Sequence, residues 1–185
     1  MRKITAFIFL TINGYFKGPD EDISWHIHGE EGNEFSEDQL NADNILLFGR
    51  KTYEMMLSFW PTKMAYDSFP IVAERMNNSE KIVLTNSLRD ADWQNTTIFS
   101  GNTIEQIREL KNTSGKNITI LGSGTIINQL TDAGLIDEYE LLIDPIAIEK
   151  GTPLFQNISS KLELNLLESR IFKKSGAVLL RYGRK

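Results

Sequence analysis

The sequence predicts an α/β fold: a mostly parallel central sheet of about eight strands, helices on both faces, and a C-terminal antiparallel hairpin. Three observations carry this expectation. From Asn44 to Ile143, short apolar and β-branched runs alternate with helix-like stretches. Such alternation marks strands buried on both faces by crossover helices. After Pro153 two strand-like runs follow with only "FKKSG" between them, which reads as a hairpin. The 185 residues, 41% hydrophobic and 24% charged, suit one substantial core, so residues 1–185 are expected to form one domain.

Strands are expected at Ile4–Thr11, Asn44–Phe48, Lys81–Thr85, Thr97–Ser100, Asn117–Leu121 and Glu138–Ile143, then at Leu162–Ser169 and Gly176–Tyr182. Helices are expected at Glu34–Ala42, Thr52–Ser58, Ala65–Met76, Ile104–Lys111 and Thr125–Ala133. In "TIEQIRELK", Ile104, Ile107 and Leu110 form one stripe, with Thr103 as N-cap and Gln106 in capping-box range. Ile126, Ile127 and Leu130 share a face of the last helix, which stops near Gly134.

The net charge of −5 argues against sequence-independent nucleic-acid binding, since no basic excess exists to displace counterions. The absence of cysteine excludes disulfides, thiolate catalysis and Cys-ligated zinc. The run "ITAFIFLTI" after Met1-Arg2-Lys3 is interrupted by Thr5 and Thr11 and ends at Asn13-Gly14 without a small-x-small site. It reads as a buried first strand rather than a signal peptide, which makes the cytoplasm the expected location. No run approaches the ~20 apolar residues of a membrane span.

Three strand-to-helix junctions could carry chemistry, since ligands of open α/β sheets settle beyond the carboxyl ends of strands. In "ILLFGRKTYE", Gly49 allows a tight turn, and Arg50 and Lys51 stand at a helix N-terminus, the unfavourable end for cations. A phosphate there would gain from free N–H groups, the Thr52 hydroxyl and both cations; a solvated basic turn is the competing reading. In "KIVLTNSLRD", Thr85-Asn86-Ser87 are turn-formers that could also donate to a phosphate. In "NITILGSGTIINQL", Gly122 and Gly124 permit close backbone approach at a helix start. No Gly-Lys-Ser/Thr follows, so it is not a P-loop, and Ile127 stands where the dinucleotide fingerprint needs its third glycine. A plain structural turn remains open.

The loop "NGYFKGPDEDISWHIHGEEGNE" is long enough to be an active-site lid. It holds Trp25, both histidines and several carboxylates. Its His26-x-His28 pair would need carboxylates to complete a metal site, so no metal is assigned. A carboxylate beside Trp25 acting as proton donor, or an acidic surface loop, are the other readings.

Taken together and in order, "TINGYFKG", "SWHIHGE", "LLFGRKTYE", "IVLTNS" and "ILGSGTIINQL" resemble the dihydrofolate reductase-like superfamily. The segment "DEYELLIDPIAIEKGTPLF" is similar to the branch shared with the reductase domain of bacterial riboflavin biosynthesis, the RibD C-terminal domain. The resemblance covers nearly the whole chain. It implies NADPH as cofactor, with Gly49, Arg50, Lys51 and Thr52 holding its phosphates, and Leu84, Thr85 and Asn86 beside the 2′-phosphate. Gly122, Ser123, Gly124, Thr125 and Ile126 would cradle the pyrophosphate, with a cis Gly122–Ser123 bond. The nicotinamide would lie near Leu10 and Lys17.

Trp25 falls where these reductases keep a tryptophan, and Glu30 where they keep the carboxylate that supports substrate protonation; Glu31 and Glu34 are neighbouring candidates. The implied activity is hydride transfer to an aminopyrimidine or pterin-like small molecule. The nearest named reaction is that of 5-amino-6-(5-phosphoribosylamino)uracil reductase, and dihydrofolate reductase or a non-catalytic nucleotide- or folate-binding module are the alternatives. A homodimer is implied by the same resemblance. One departure bears on substrate: "NEFSEDQLNAD" lacks the Arg and His that the riboflavin reductases use toward a ribose phosphate.

Overall fold

The computed structural model describes residues 1–27, 29–156 and 158–185. In chain order the elements are β1 (Ile4–Thr11), β2 (Tyr15–Lys17), α1 (Glu30–Asn41), β3 (Ile45–Gly49), α2 (Arg50–Phe59), α3 (Lys63–Ser68), α4 (Pro70–Asn78), β4 (Lys81–Leu84) and β5 (Thr96–Phe99). They continue with α5 (Thr103–Asn112), β6 (Ile118–Leu121), α6 (Gly124–Asp132), β7 (Glu138–Asp144), β8 (Thr152–Pro153), β9 (Leu164–Ile171) and β10 (Val178–Arg184). The main sheet has eight strands in the order β5-β4-β3-β6-β1-β7-β10-β9. The first six are mutually parallel; β10 joins β7 antiparallel, and β9 joins β10 likewise. The expected fold class is therefore observed, hairpin included.

The alternating side chains of each buried strand feed two layers. Ile8, Leu10, Leu47 and Ile120 face one side, where Ile107 of α5 and Ile126, Ile127 and Leu130 of α6 close over them. Leu46, Phe48 and Val83 face the other, under Tyr53 of α2 and Val72 and Met76 of α4. Farther along that side, Phe35 of α1 packs on Leu142, Phe172 and Leu179.

Several boundaries differ from expectation for local reasons. The helix expected over Ala65–Met76 is two helices broken at Phe69 (φ −141°, ψ 61°). Pro70 has no N–H to continue the first, and its ring bars the α conformation to Phe69. The N-cap of α5 is Asn102, whose side chain accepts from the Glu105 N–H, rather than Thr103. Gln106 bonds the Ser100 carbonyl instead of closing a capping box. The two-stranded ribbon of β2 and β8 was not legible in the sequence, being only a few residues long. No described helix is long and apolar enough to cross a membrane.

Candidate functional site

The strand order reverses at β3. Chain steps β3, β4 and β5 move outward to one edge, and β6 returns to the other side of β3. Helices leaving β3 and β6 go to opposite faces, so a crevice opens between the two strand ends, where ligands of open α/β sheets bind. The expected junctions flank it. A Cβ at Gly49 would lie 2.9 Å from Ser123 Oγ and 3.0 Å from Ile126 Cγ1, so the two turns touch only because residue 49 is glycine. Gly49 and Ser123 are the N-cap residues of α2 and α6, and neither supplies a side-chain cap. Two helix N-termini thus meet without a side-chain cap from their N-cap residues, a setting that favours an anion.

The expected cis peptide is absent: the Gly122–Ser123 bond is trans. Positive φ at Gly122 (74°) and Ser123 (60°) makes the sharp turn instead. Gly122 tolerates this freely, and Ser123 carries the strain of a left-handed residue with a side chain.

Beside the crevice lies a cavity of about 700 Å³, lined by Arg50, Leu84, Thr85, Asn86 and Ile126. Ser87, Gly101, Asn102, Thr103, Ile104, Gln129 and Asp132 complete the lining. Thr85 Oγ1 accepts from the Ser87 and Leu88 N–H groups at 3.1 and 3.2 Å. Asn86 Oδ1 accepts from the Gly101 N–H at 2.7 Å, which ties the ends of β4 and β5 together. The basic residues of the first junction have carboxylate partners. Arg50 pairs with Glu54 at 2.9 Å, and Lys51 with Glu21 at 2.9 Å. Glu21 also takes Lys17 at 2.8 Å, and the two ammonium groups hold its carboxyl below the usual range.

A second hollow, about 230 Å³, lies between Phe16, Thr125, Asn128, Gln129, Asp132, Thr152 and Gln156. Phe16 stacks so closely on the start of α6 that any side chain at Gly124 would collide with its ring. Leu10 is buried in the core near the end of β1.

Of the lid residues, Trp25 keeps its indole N–H buried with no hydrogen-bond partner among the described residues. Glu30 is exposed at the start of α1 and ion-paired with Lys174, which holds its carboxyl below the usual range. That is the setting of a carboxylate kept ionised. Glu31 accepts from the Lys173 and Lys174 N–H groups and so fastens the hairpin turn to α1, while Glu34 is exposed. His28 lies outside the described residues. His26 sits at the sheet rim: its Nδ1 is 2.9 Å from Asp144 Oδ2, and its ring stacks on Phe9 with centroids 3.6 Å apart. Asp144 is the register partner of Thr11, so the pair stands at the carboxyl ends of β1 and β7. No group of three metal-ligating side chains occurs among the described residues.

The model of the RibD C-terminal domain matches residues 2–177. The chain belongs to the RibD C-terminal domain family. It is 28% identical over 182 residues to the uncharacterized protein YyaP of Bacillus subtilis (strain 168), covering 98% of this chain and 94% of that one. A putative riboflavin biosynthesis protein from Shewanella sp. PV-4 superposes with a TM-score of 0.74 at 23% identity, over 99% of each chain. Dihydrofolate reductase from Enterococcus faecalis, solved with NADP(H) and RAB-propyl, gives 0.67 at 19% identity, over 99% of this chain and 96% of that one. At these identities the two structures bear on the fold alone.

In this RibD C-terminal domain the fold gathers Gly49–Thr52, Leu84–Asn86 and Gly122–Ile126 along one rim, as the sequence implied. It sets Glu30 apart, against the C-terminal hairpin. Sequence reasoning missed the β5–α5 junction, Gly101-Asn102-Thr103, although its strand–glycine–cap pattern obeys the rule used for the other three. It also missed His26–Asp144, whose partners are 118 residues apart.

Proposed function

We propose that this RibD C-terminal domain is an NADPH-dependent reductase acting on a C=N or C=O group of an aminopyrimidine or pterin-like substrate. The observation that carries the reading is the meeting of two N-termini without side-chain caps, those of α2 and α6, at the reversal of strand order. The residues suit a dinucleotide. The backbone of Ser123-Gly124 and of the first turn of α2 offers donors to a pyrophosphate, with the Thr52 and Thr125 hydroxyls beside it, while the Gly122 N–H is held by the Phe7 carbonyl. Arg50 lines the larger cavity with Thr85, Asn86 and Ser87 and suits the 2′-phosphate. Its pair with Glu54 is exposed on both sides, and such pairs are worth about 0–1 kcal/mol, so a phosphate can displace the carboxylate.

When bound, the cofactor supplies a hydride, and reduction then requires a proton at the substrate heteroatom. His26 is assigned that proton, with Asp144 fixing its tautomer and balancing its charge and Phe9 holding its plane. Glu30, kept ionised by Lys174, is the weaker candidate for donating one.

The test is NADPH oxidation with the deaminated aminopyrimidine phosphate and, separately, with dihydrofolate. Turnover of one of them is expected. His26→Gln should lower kcat by about 10²–10⁴-fold while leaving NADPH affinity unchanged. No turnover of either substrate by a protein that still binds NADPH would overturn the reductase reading and leave a nucleotide-binding module.

A further inference from the structure

The segment "GTPLFQ" (Gly151–Gln156) carries part of the family resemblance but has no part in the dinucleotide rim described above. Its backbone is held from several sides. A side chain at Gly151 would collide with the Lys17 carbonyl, so β8 reaches β2 only because residue 151 is glycine. Leu154 is buried in the core, and its N–H donates to the Gly14 carbonyl at 2.9 Å. At Phe155 the chain turns with φ 61°, a left-handed conformation that is rare for a large side chain and persists only where the surroundings impose it. Asn128 of α6 supplies that constraint. Its Oδ1 accepts from the Phe155 N–H at 3.1 Å, and its Nδ2 donates to the Gln156 carbonyl at 3.0 Å. One amide thus uses its donor and its acceptor on consecutive residues, which neither a carboxylate nor an apolar side chain can do.

The helix that Asn128 belongs to needs an outside anchor. Ser123, the N-cap of α6, is itself left-handed and gives no side-chain cap, whereas α5 is capped by its own Asn102. The start of α6 is therefore placed by what packs on it. Phe16 of β2 covers Gly124, and Asn128 stands four residues on, along the same face of the helix. β2 and β8 are paired, Tyr15 opposite Pro153 and Lys17 opposite Thr152, so both contacts on α6 come from one ribbon and the residues that continue it. The hollow of about 230 Å³ lies between them.

We propose, resting on the reading of the α6 N-terminus as a pyrophosphate wall, that Asn128 is a positioning residue for the dinucleotide. By fastening Gly151–Gln156 to α6 it fixes the first turn of that helix, one turn away. It acts through the backbone of Ser123-Gly124 and not by contact with a phosphate. The pyrophosphate is common to NADPH and NADH, so loss of Asn128 weakens both alike. That sets it apart from Arg50, which is assigned to the 2′-phosphate carried by NADPH alone.

Calorimetric titration of the full chain with NADPH and with NADH tests this in wild type, Asn128→Leu and Asn128→Asp. Asn128→Leu removes both hydrogen bonds and should weaken both dinucleotides by about tenfold, leaving the ratio of their affinities at the wild-type value. Asn128→Asp keeps the acceptor for the Phe155 N–H and should fall between the two. Stoichiometry should stay at the wild-type value, since a displaced wall lowers affinity whereas a misfolded fraction lowers the number of sites. Amide exchange gives a second readout. Saturating NADPH should slow exchange at Leu154 in wild type and fail to do so in Asn128→Leu, because coupling between two sites is reciprocal. Unchanged affinity in both variants would overturn the role of Asn128 and leave the reductase reading standing. So would a loss confined to NADPH, or a fall in stoichiometry alone. A wild type that binds neither dinucleotide would overturn both.

Discussion

Residue 49 shows how one side chain's absence sets the site. The ends of β3 and β6 can approach only while Gly49 leaves room for Ser123 and Ile126. Gly49→Ala should cost about 1–3 kcal/mol in urea unfolding through overpacking, and should weaken NADPH by spreading the two helix N-termini. Unchanged stability and affinity would show that residue 49 does not set the site. Much of the rim was legible at this scale because glycine, threonine and arginine occur there as consecutive junction residues. The charge state was not. Glu54 lies four residues after Arg50, a spacing that sequence reasoning could have used, but Glu21 reaches Lys51 only through the path of the lid loop. The resemblance places the carboxylate at Glu30, and it cannot foresee Lys174, which is 144 residues away.

Elements were legible where hydrophobic period and caps agreed, as in α6 and β1, and less so where one residue overrode the pattern, as at Pro70. Lys81 is the clearest case of an element interaction hidden from sequence. It begins β4, but its buried ammonium donates to the Met76, Asn77 and Ser79 carbonyls and so finishes α4, with the Trp93 ring 4.7 Å away. Burial pushes its pKa down to about 8 from 10.5. Between those values the unfolded chain binds the extra proton, so this group makes folding more favourable as pH rises from about 8 toward 10.5. Chemical denaturation across that window should show wild-type stability gaining on Lys81→Met as pH increases. A difference that is flat or falls with pH would contradict the assignment.

At the scale of the whole molecule, topology does what no single motif does. The rim segments are individually ambiguous, and the order β4-β3-β6-β1 puts their ends side by side. The fold class followed from alternation of strand and helix, whereas the side-by-side placement required the strand order, which local pattern does not encode. This rim is proposed to hold a phosphorylated nicotinamide dinucleotide. Calorimetric titration of wild type and Arg50→Ala with NADPH and with NADH tests it most directly. Wild type should prefer NADPH, and Arg50→Ala should lose most of that preference, because the guanidinium is assigned to the 2′-phosphate. Failure of the wild type to bind either dinucleotide, or equal loss of both on substitution, would contradict it.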